Sequence, residues 1–291
     1  MTFKFLTTAL LGASLVALSA CSGGSGSTEA KTEAPKKEAA VKAPVTLAEV
    51  IANPRRADNA ARDQFRHPKE TLEFFEVGPG KKVGEVWPGW YTPVIAPYLA
   101  ENDGVYVAVL YQGDSERVAA RNQRFIDTYV GKDGFGTIEI GKFGSEDAPI
   151  VENGDLDVLL SFRNVHNWMG RGYAEKAFKD FYAALKPGGI LGIVEHRLPE
   201  SATQDPKGST GYVQESYMKD LAKQAGFEFV GSSEVNANPR DTADHPFGVW
   251  TLPPRSRVPE DASKIPEGFD AELFKNIGES DRATLKFRKP L

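Results

Sequence analysis

The strongest constraint on this chain is an alternation of short apolar runs with helical patterns between residues 83 and 235. Residues 157–162 and 190–195 are nearly unbroken apolar runs of strand length. A strand wetted on one face alternates polar and apolar residues, so unbroken runs call for cover on both faces. Residues 83–86, 105–111, 137–140 and 227–235 read as further strands. Helical patterns fall between them at 92–100, 115–130, 173–185 and 213–225. In the second of these Val118, Ala119, Asn122, Phe125 and Ile126 lie near one face. The third closes on Lys186, Pro187, Gly188 and Gly189, and Gly226 caps the fourth. Such alternation predicts a largely parallel sheet with helices on both faces.

The flanks add detail. Residues 47–53, 57–66 and 68–75 read as short helices, and Gly78, Pro79 and Gly80 as a turn into the first strand. Residues 236–280 are rich in Pro, Asn and Asp, and a last strand follows at 282–287. The strands on either side of that long connection pair most simply as antiparallel neighbours at the sheet edge. A connection of such length is usually functional or disordered.

Residues 1–20 carry a positive start and an apolar stretch ending in small residues, which reads as an export signal. Leu18, Ser19, Ala20 and Cys21 resemble the lipobox of bacterial lipoproteins, in which the cysteine is lipidated. Cys21 is the only cysteine, so an intramolecular disulfide and thiol catalysis by the folded part are excluded. Residues 21–46 lack aromatic residues and read as a flexible tether with a reach of roughly 25–30 Å. The expected organisation is a signal at 1–20, a tether at 21–46 and one domain at 47–291. A net charge of −5 argues against nucleic acid as a partner. The membrane is expected to be met through the lipid anchor alone, on the periplasmic or cell-surface side. Ser22 stands where inner-membrane lipoproteins often carry Asp, which favours the outer membrane.

Three segments carry a family resemblance: Glu85 to Thr92 (Glu-Val-Trp-Pro-Gly-Trp-Tyr-Thr), Phe162 to Trp168 (Phe-Arg-Asn-Val-His-Asn-Trp) and Glu279 to Arg282 (Glu-Ser-Asp-Arg). With the Leu-Lys-Pro-Gly-Gly helix end and the strand order, residues 47–291 resemble a class I S-adenosylmethionine-dependent methyltransferase, within a bacterial group of such proteins. The resemblance implies an α/β, Rossmann-like doubly wound sheet, mostly parallel, with an antiparallel final strand and a long insertion before it. It also implies S-adenosylmethionine as cofactor and a small-molecule methyl acceptor.

On that resemblance, Glu85, Trp87, Gly89 and Tyr91 belong to the cofactor turn after the first strand. Gln112 or Asp114 would take the ribose hydroxyls, and Phe143 would lie near the adenine. Ser161, Arg163 and Asn164 would meet the cofactor's amino acid end. The turn departs from the superfamily's acid-x-Gly-x-Gly-x-Gly pattern, because Pro88 and Gly89 run straight into Trp90. Glycines there let the backbone take open conformations and approach a ligand closely; Trp90 in their place is positioned to close the site.

His166 and His196 follow the fourth and fifth strands, where open α/β sheets bind ligands, and each is a candidate base. Each is equally able to satisfy loop carbonyls instead. Arg163 either holds an acidic acceptor or pairs with Glu85 or Asp157. The four histidines are scattered without metal-site spacing, so no metal is expected. Residues 236–280, which include His245 and Trp250, form a candidate lid over the acceptor. Two functions follow: methyl transfer from S-adenosylmethionine to a small molecule, or a non-catalytic ligand-binding or scaffold lipoprotein on the same fold.

Overall fold

The computed structural model describes residues 43–291, residue 153 excepted. The export signal, Cys21 and nearly all of the tether lie outside the described residues. No helix among the described residues is long and apolar enough to cross a membrane.

The chain enters through four short helices: α1 (Leu47–Ile51), α2 (Ala57–Ala60), α3 (Asp63–Arg66) and α4 (Pro68–Phe74). Thr46 and Glu49 form a reciprocal capping box on α1. The segment expected to be one helix at 57–66 is two pieces. Between them Arg62 N–H donates to Asn59 C=O and Phe65 N–H to Arg62 C=O, tighter i→i+3 bonds that interrupt an α-helix.

The sheet is built from β1 (Lys82–Val86), β2 (Val105–Tyr111), β3 (Ile138–Phe143), β4 (Leu156–Phe162), β5 (Leu185–His196), β6 (Glu228–Ser233) and, at the end of the chain, β8 (Arg282–Arg288). A short strand, β7 (Pro246–Val249), stands apart from it. The connecting helices are α5 (Thr92–Ala100), α6 (Glu116–Tyr129), α7 (Val165–Gly170), α8 (Ala174–Ala184), α9 (Glu215–Ala225) and α10 (Ala271–Ile277). The strand order is β3-β2-β1-β4-β5-β8-β6. β1 to β5 run parallel, and β8 pairs antiparallel with both β5 and β6. The fold is Rossmann-like.

Alternate residues of the central strands feed two cores. Leu159, Leu191 and Ile193 pack with Phe178 and Phe181 of α8 on one face. Val158, Leu160 and Val194 pack with Val94, Ile95 and Leu99 of α5 on the other. Each such fully buried side chain contributes about 1.5–3 kcal/mol, which explains the unbroken apolar runs. β5 begins at Leu185, five residues before the expected strand, because Leu185 already pairs with Leu156. α7 was not anticipated: six residues are too few to show a helical period.

β1 has β2 on one side and β4 on the other, so chain order reverses at β1 and β4. A crevice outside the carboxyl ends of these strands is where open α/β sheets hold ligands.

Candidate functional site

The turn after β1 is held from below by Glu85. One carboxylate oxygen accepts from Gly89 N–H at 3.2 Å. The other accepts from the hydroxyls of Thr92 at 3.0 Å and Tyr106 at 2.7 Å. Burial raises the Glu85 pKa, and these three donors pull against that rise. The carboxylate therefore ties the turn to α5 and β2 rather than facing a ligand.

Trp87 takes the left-handed conformation of the turn, with φ 52°. Its N–H donates to Val109 C=O, extending the β1–β2 ladder by one residue. A non-glycine residue there costs about 1–2 kcal/mol, and the side chain offsets it: the indole N–H donates to Phe143 C=O at 3.1 Å and the ring stacks on Tyr111 at 4.3 Å. Gly89, by contrast, has open space where a Cβ would stand. The open backbone expected of a glycine thus falls on Trp87.

The expected obstruction by Trp90 does not occur. Its indole N–H donates to Asn59 C=O, and the Arg66 guanidinium lies 4.8 Å from its ring centroid. Tyr91 also turns that way, its hydroxyl donating to Arg66 C=O at 2.7 Å and its ring stacked on Phe162 at 3.9 Å. Both side chains face the N-terminal helices.

A cleft of about 500 Å³ opens at the carboxyl ends of β1, β2 and β3, walled by Trp87, Tyr111, Gln112, Gly144, Arg171 and Tyr173. Asn122 pins its floor, exchanging two hydrogen bonds with the Tyr111 backbone. A Cβ on Gly144 would stand 2.9 Å from the Gln112 Cβ, so a glycine is what lets the β2 and β3 loops meet. Arg117 and Arg121 of α6 stand at the rim, and no carboxylate side chain among the described residues lines the cleft. Asp114 is exposed outside it. Phe143 is buried in the core and offers its carbonyl, to Trp87 and to the Gln112 N–H.

A second cluster gathers at the ends of β4, β5 and β8. Ser161 is fully buried, and its hydroxyl has no partner among the described residues. Asn164 reaches Val86 C=O at 3.4 Å, tying the end of β4 to the turn. Glu195 is fully buried; its oxygens accept from the N–H groups of Val165 at 2.5 Å and His196 at 2.9 Å. One of them also meets His166 Nδ1 at 3.1 Å, while Asn167 meets the other ring nitrogen. His196 Nδ1 lies 2.5 Å from Ser280 Oγ. The two candidate histidines thus come together, ring centroids 5.7 Å apart.

Arginines surround this pair. Glu279 is shared by Arg62 (2.6 Å), Arg66 (3.0 Å) and Arg282 (3.1 Å). Arg163 takes a left-handed conformation, φ 62°, with its N–H on Val194 C=O. Its guanidinium makes no hydrogen bond or ion pair among the described residues, so neither Glu85 nor Asp157 pairs with it. Burial, and then Arg163, push Arg66 down to about 9. Burial, His166 and then Arg163, Arg282 and Arg66 hold His196 well below the usual histidine range, so its ring is neutral.

His166, Glu195 and His196 each offer one donor atom within 4.8 Å of the others. Sequence spacing did not disclose this grouping, since β4 and β5 bring it together. Its surroundings suit an anion better than a cation: Glu195 already serves backbone amides, and three arginines impose a positive field.

Residues 236–252 of the expected lid are pinned over this end. Asp241 accepts from the Tyr212 hydroxyl at 3.0 Å and meets His245 at 2.8 Å. Val249 N–H donates to Thr210 C=O, and a Cβ on Gly248 would collide with that carbonyl. Trp250 presents an edge to His166 at 6.0 Å. Sequence reading overlooked Arg62 and Arg66, whose spacing of four residues on one helical turn was the available signal.

No protein-family model matches the chain, and no curated protein matches it. Among solved structures it is similar to an S-adenosylmethionine-dependent methyltransferase from Aquifex aeolicus, at 18% identity over 66% of this chain and 94% of that one, TM-score 0.47. It is similar to a methyltransferase from Pyrococcus furiosus at 15% identity over 76% and 81%, TM-score 0.40. It is also similar to a protein from Bordetella parapertussis called a possible exported protein, at 15% identity over 85% and 80%, TM-score 0.44.

Proposed function

We propose that this protein transfers a methyl group from S-adenosylmethionine to a small-molecule acceptor. The observation that carries the reading is the cleft of Trp87, Tyr111, Gln112 and Gly144 at the carboxyl ends of β1 to β3, beside the point where strand order reverses. A mostly parallel sheet with an antiparallel final strand is what the resemblance to class I methyltransferases implies, and the observed strand order fits it.

The donor set suits that cofactor. Gln112 offers an amide for ribose hydroxyls, the stacked Trp87 and Tyr111 give the cleft an apolar wall, and Arg171 offers a cation for the carboxylate. When bound, the cofactor supplies an electrophilic methyl group. The chain's own part is largely positioning, since an aligned nucleophile gains most of its rate from proximity. Glu85 and Asn164 fix the turn, and α7 carries His166 at one end with Arg171 just beyond the other. His196 is the base. With Nδ1–H donated to Ser280 Oγ, its Nε2 lone pair accepts the proton of an acceptor that must lose one.

Calorimetry of the purified protein with S-adenosylmethionine and S-adenosylhomocysteine tests the cofactor reading. Saturable binding is expected; folded protein giving no heat at millimolar cofactor would sink it. The base is tested by His196→Ala, expected to lower turnover while leaving cofactor affinity within twofold.

We also propose that Cys21 carries a lipid and holds the protein on the outer membrane, a reading supported by residues 1–21. Labelling cells with an alkynyl fatty acid should mark the protein, and Cys21→Ser should abolish the mark. Equal labelling of both forms would overturn it.

A further inference from the structure

The arginine cluster outside the cleft has a use of its own. Arg62, Arg66 and Arg282 converge on Glu279, the one carboxylate paired with any of them among the described residues, and Arg163 follows Phe162, whose ring stacks on Tyr91, itself hydrogen-bonded to Arg66 C=O. The sharing leaves donors idle. Nη2 of Arg62 and Nη2 of Arg66 are buried with no partner among the described residues, and the Arg66 side chain is only 1% exposed. Native proteins rarely leave such groups unmatched without a reason. Arg163 is held in a left-handed backbone conformation at the end of β4, where the fold places ligands.

We propose that Arg163, with the idle nitrogens of Arg62 and Arg66, forms a binding site for an oxyanion, the carboxylate or phosphate group of a small-molecule ligand. A guanidinium offers planar paired N–H donors that match such a group, and an anion would supply the countercharge that Glu279 alone does not. A divalent cation on the neighbouring histidines would meet the same positive field with the wrong sign. Arg282 is not part of the proposed contact surface, because its donors are committed to Glu279, Ser280 C=O and Phe65 C=O. The site stands on these residues and not on cofactor binding, so either reading can fail without the other.

The test is calorimetry on the full chain with inorganic phosphate and, separately, succinate, at ionic strength held constant with sodium chloride. Saturable binding of one or both is expected, and which of them binds assigns the group as phosphate or carboxylate. Arg163→Gln should weaken that binding at least tenfold, whereas Lys264→Gln, which removes a charge from an exposed position, should leave it unchanged. Without anion, Arg163→Gln should unfold at a temperature no lower than the parent, because the guanidinium it removes has no partner. If that variant fails to fold, Arg62→Gln should show the same loss of affinity. Absence of saturable binding to the folded parent, or parental affinity in the variant that folds, would overturn the site.

Discussion

Arg66 Nε lies 3.0 Å from Glu279 Oε2, an ion pair that joins the entering helices to the loop before the last strand. Arg66 is almost fully buried, and Arg62 and Arg282 share the same carboxylate. Glu279→Gln therefore leaves three guanidiniums without their countercharge and should cost about 3–5 kcal/mol, read by urea unfolding. A loss below about 1 kcal/mol would show that the pair behaves as a surface contact.

The same residue sets a pH dependence. Burial alone would raise the Glu279 pKa, but Arg66, Arg282 and Arg62 outweigh it and hold the folded carboxyl below the usual carboxylate range. The unfolded chain binds the proton more tightly, so the stabilisation is complete above the unfolded value and drains as pH falls through the folded one. Stability measured between pH 5 and pH 3 should fall more steeply for the parent than for Glu279→Gln. Parallel curves would contradict the assignment.

Trp87→Gly sets two effects against each other. Loss of the buried indole should cost about 3–5 kcal/mol, while relief of the left-handed backbone returns about 1–2 kcal/mol. A net loss of roughly 2 kcal/mol is expected in urea unfolding. No loss would mean that the stack on Tyr111 contributes nothing to the turn.

Gly192 lies in β5 where a Cβ would stand 2.6 Å from Phe75 Cγ and 2.8 Å from Leu160 Cδ2. Gly192→Ala should destabilise the protein by about 1–3 kcal/mol. A melting temperature equal to the parent's would show that α4 moves aside freely.

Gln112→Ala removes the amide expected to meet the cofactor's ribose. Affinity for S-adenosylhomocysteine should fall about tenfold, equivalent to about 1.4 kcal/mol, with no change in melting temperature. Unchanged affinity would place the ribose elsewhere in the cleft.

Much of the sheet was legible because periodicity is local: an unbroken run such as 157–162 states its own double burial. The antiparallel pairing of β6 with β8 was also legible, although β8 takes the inner place and β6 the edge. Boundaries were less so. β5 extends back to Leu185 through a pairing with Leu156, a partner that no local pattern names.

The candidate site divides along the same line. Position after the fourth and fifth strands pointed to His166 and His196 as candidates, and the family resemblance to Trp87 and Gln112. Orientation was beyond reach, because one turn sends Trp87 toward the cleft and Trp90 and Tyr91 toward the N-terminal helices. By itself the sequence determined which segments bury both faces and therefore what kind of sheet forms. Only the tertiary structure decided that Arg62 and Arg66 share one carboxylate with Arg282, more than 200 positions along the chain. Apolar burial is written residue by residue, whereas a charge's partner depends on which distant segments the finished fold brings together.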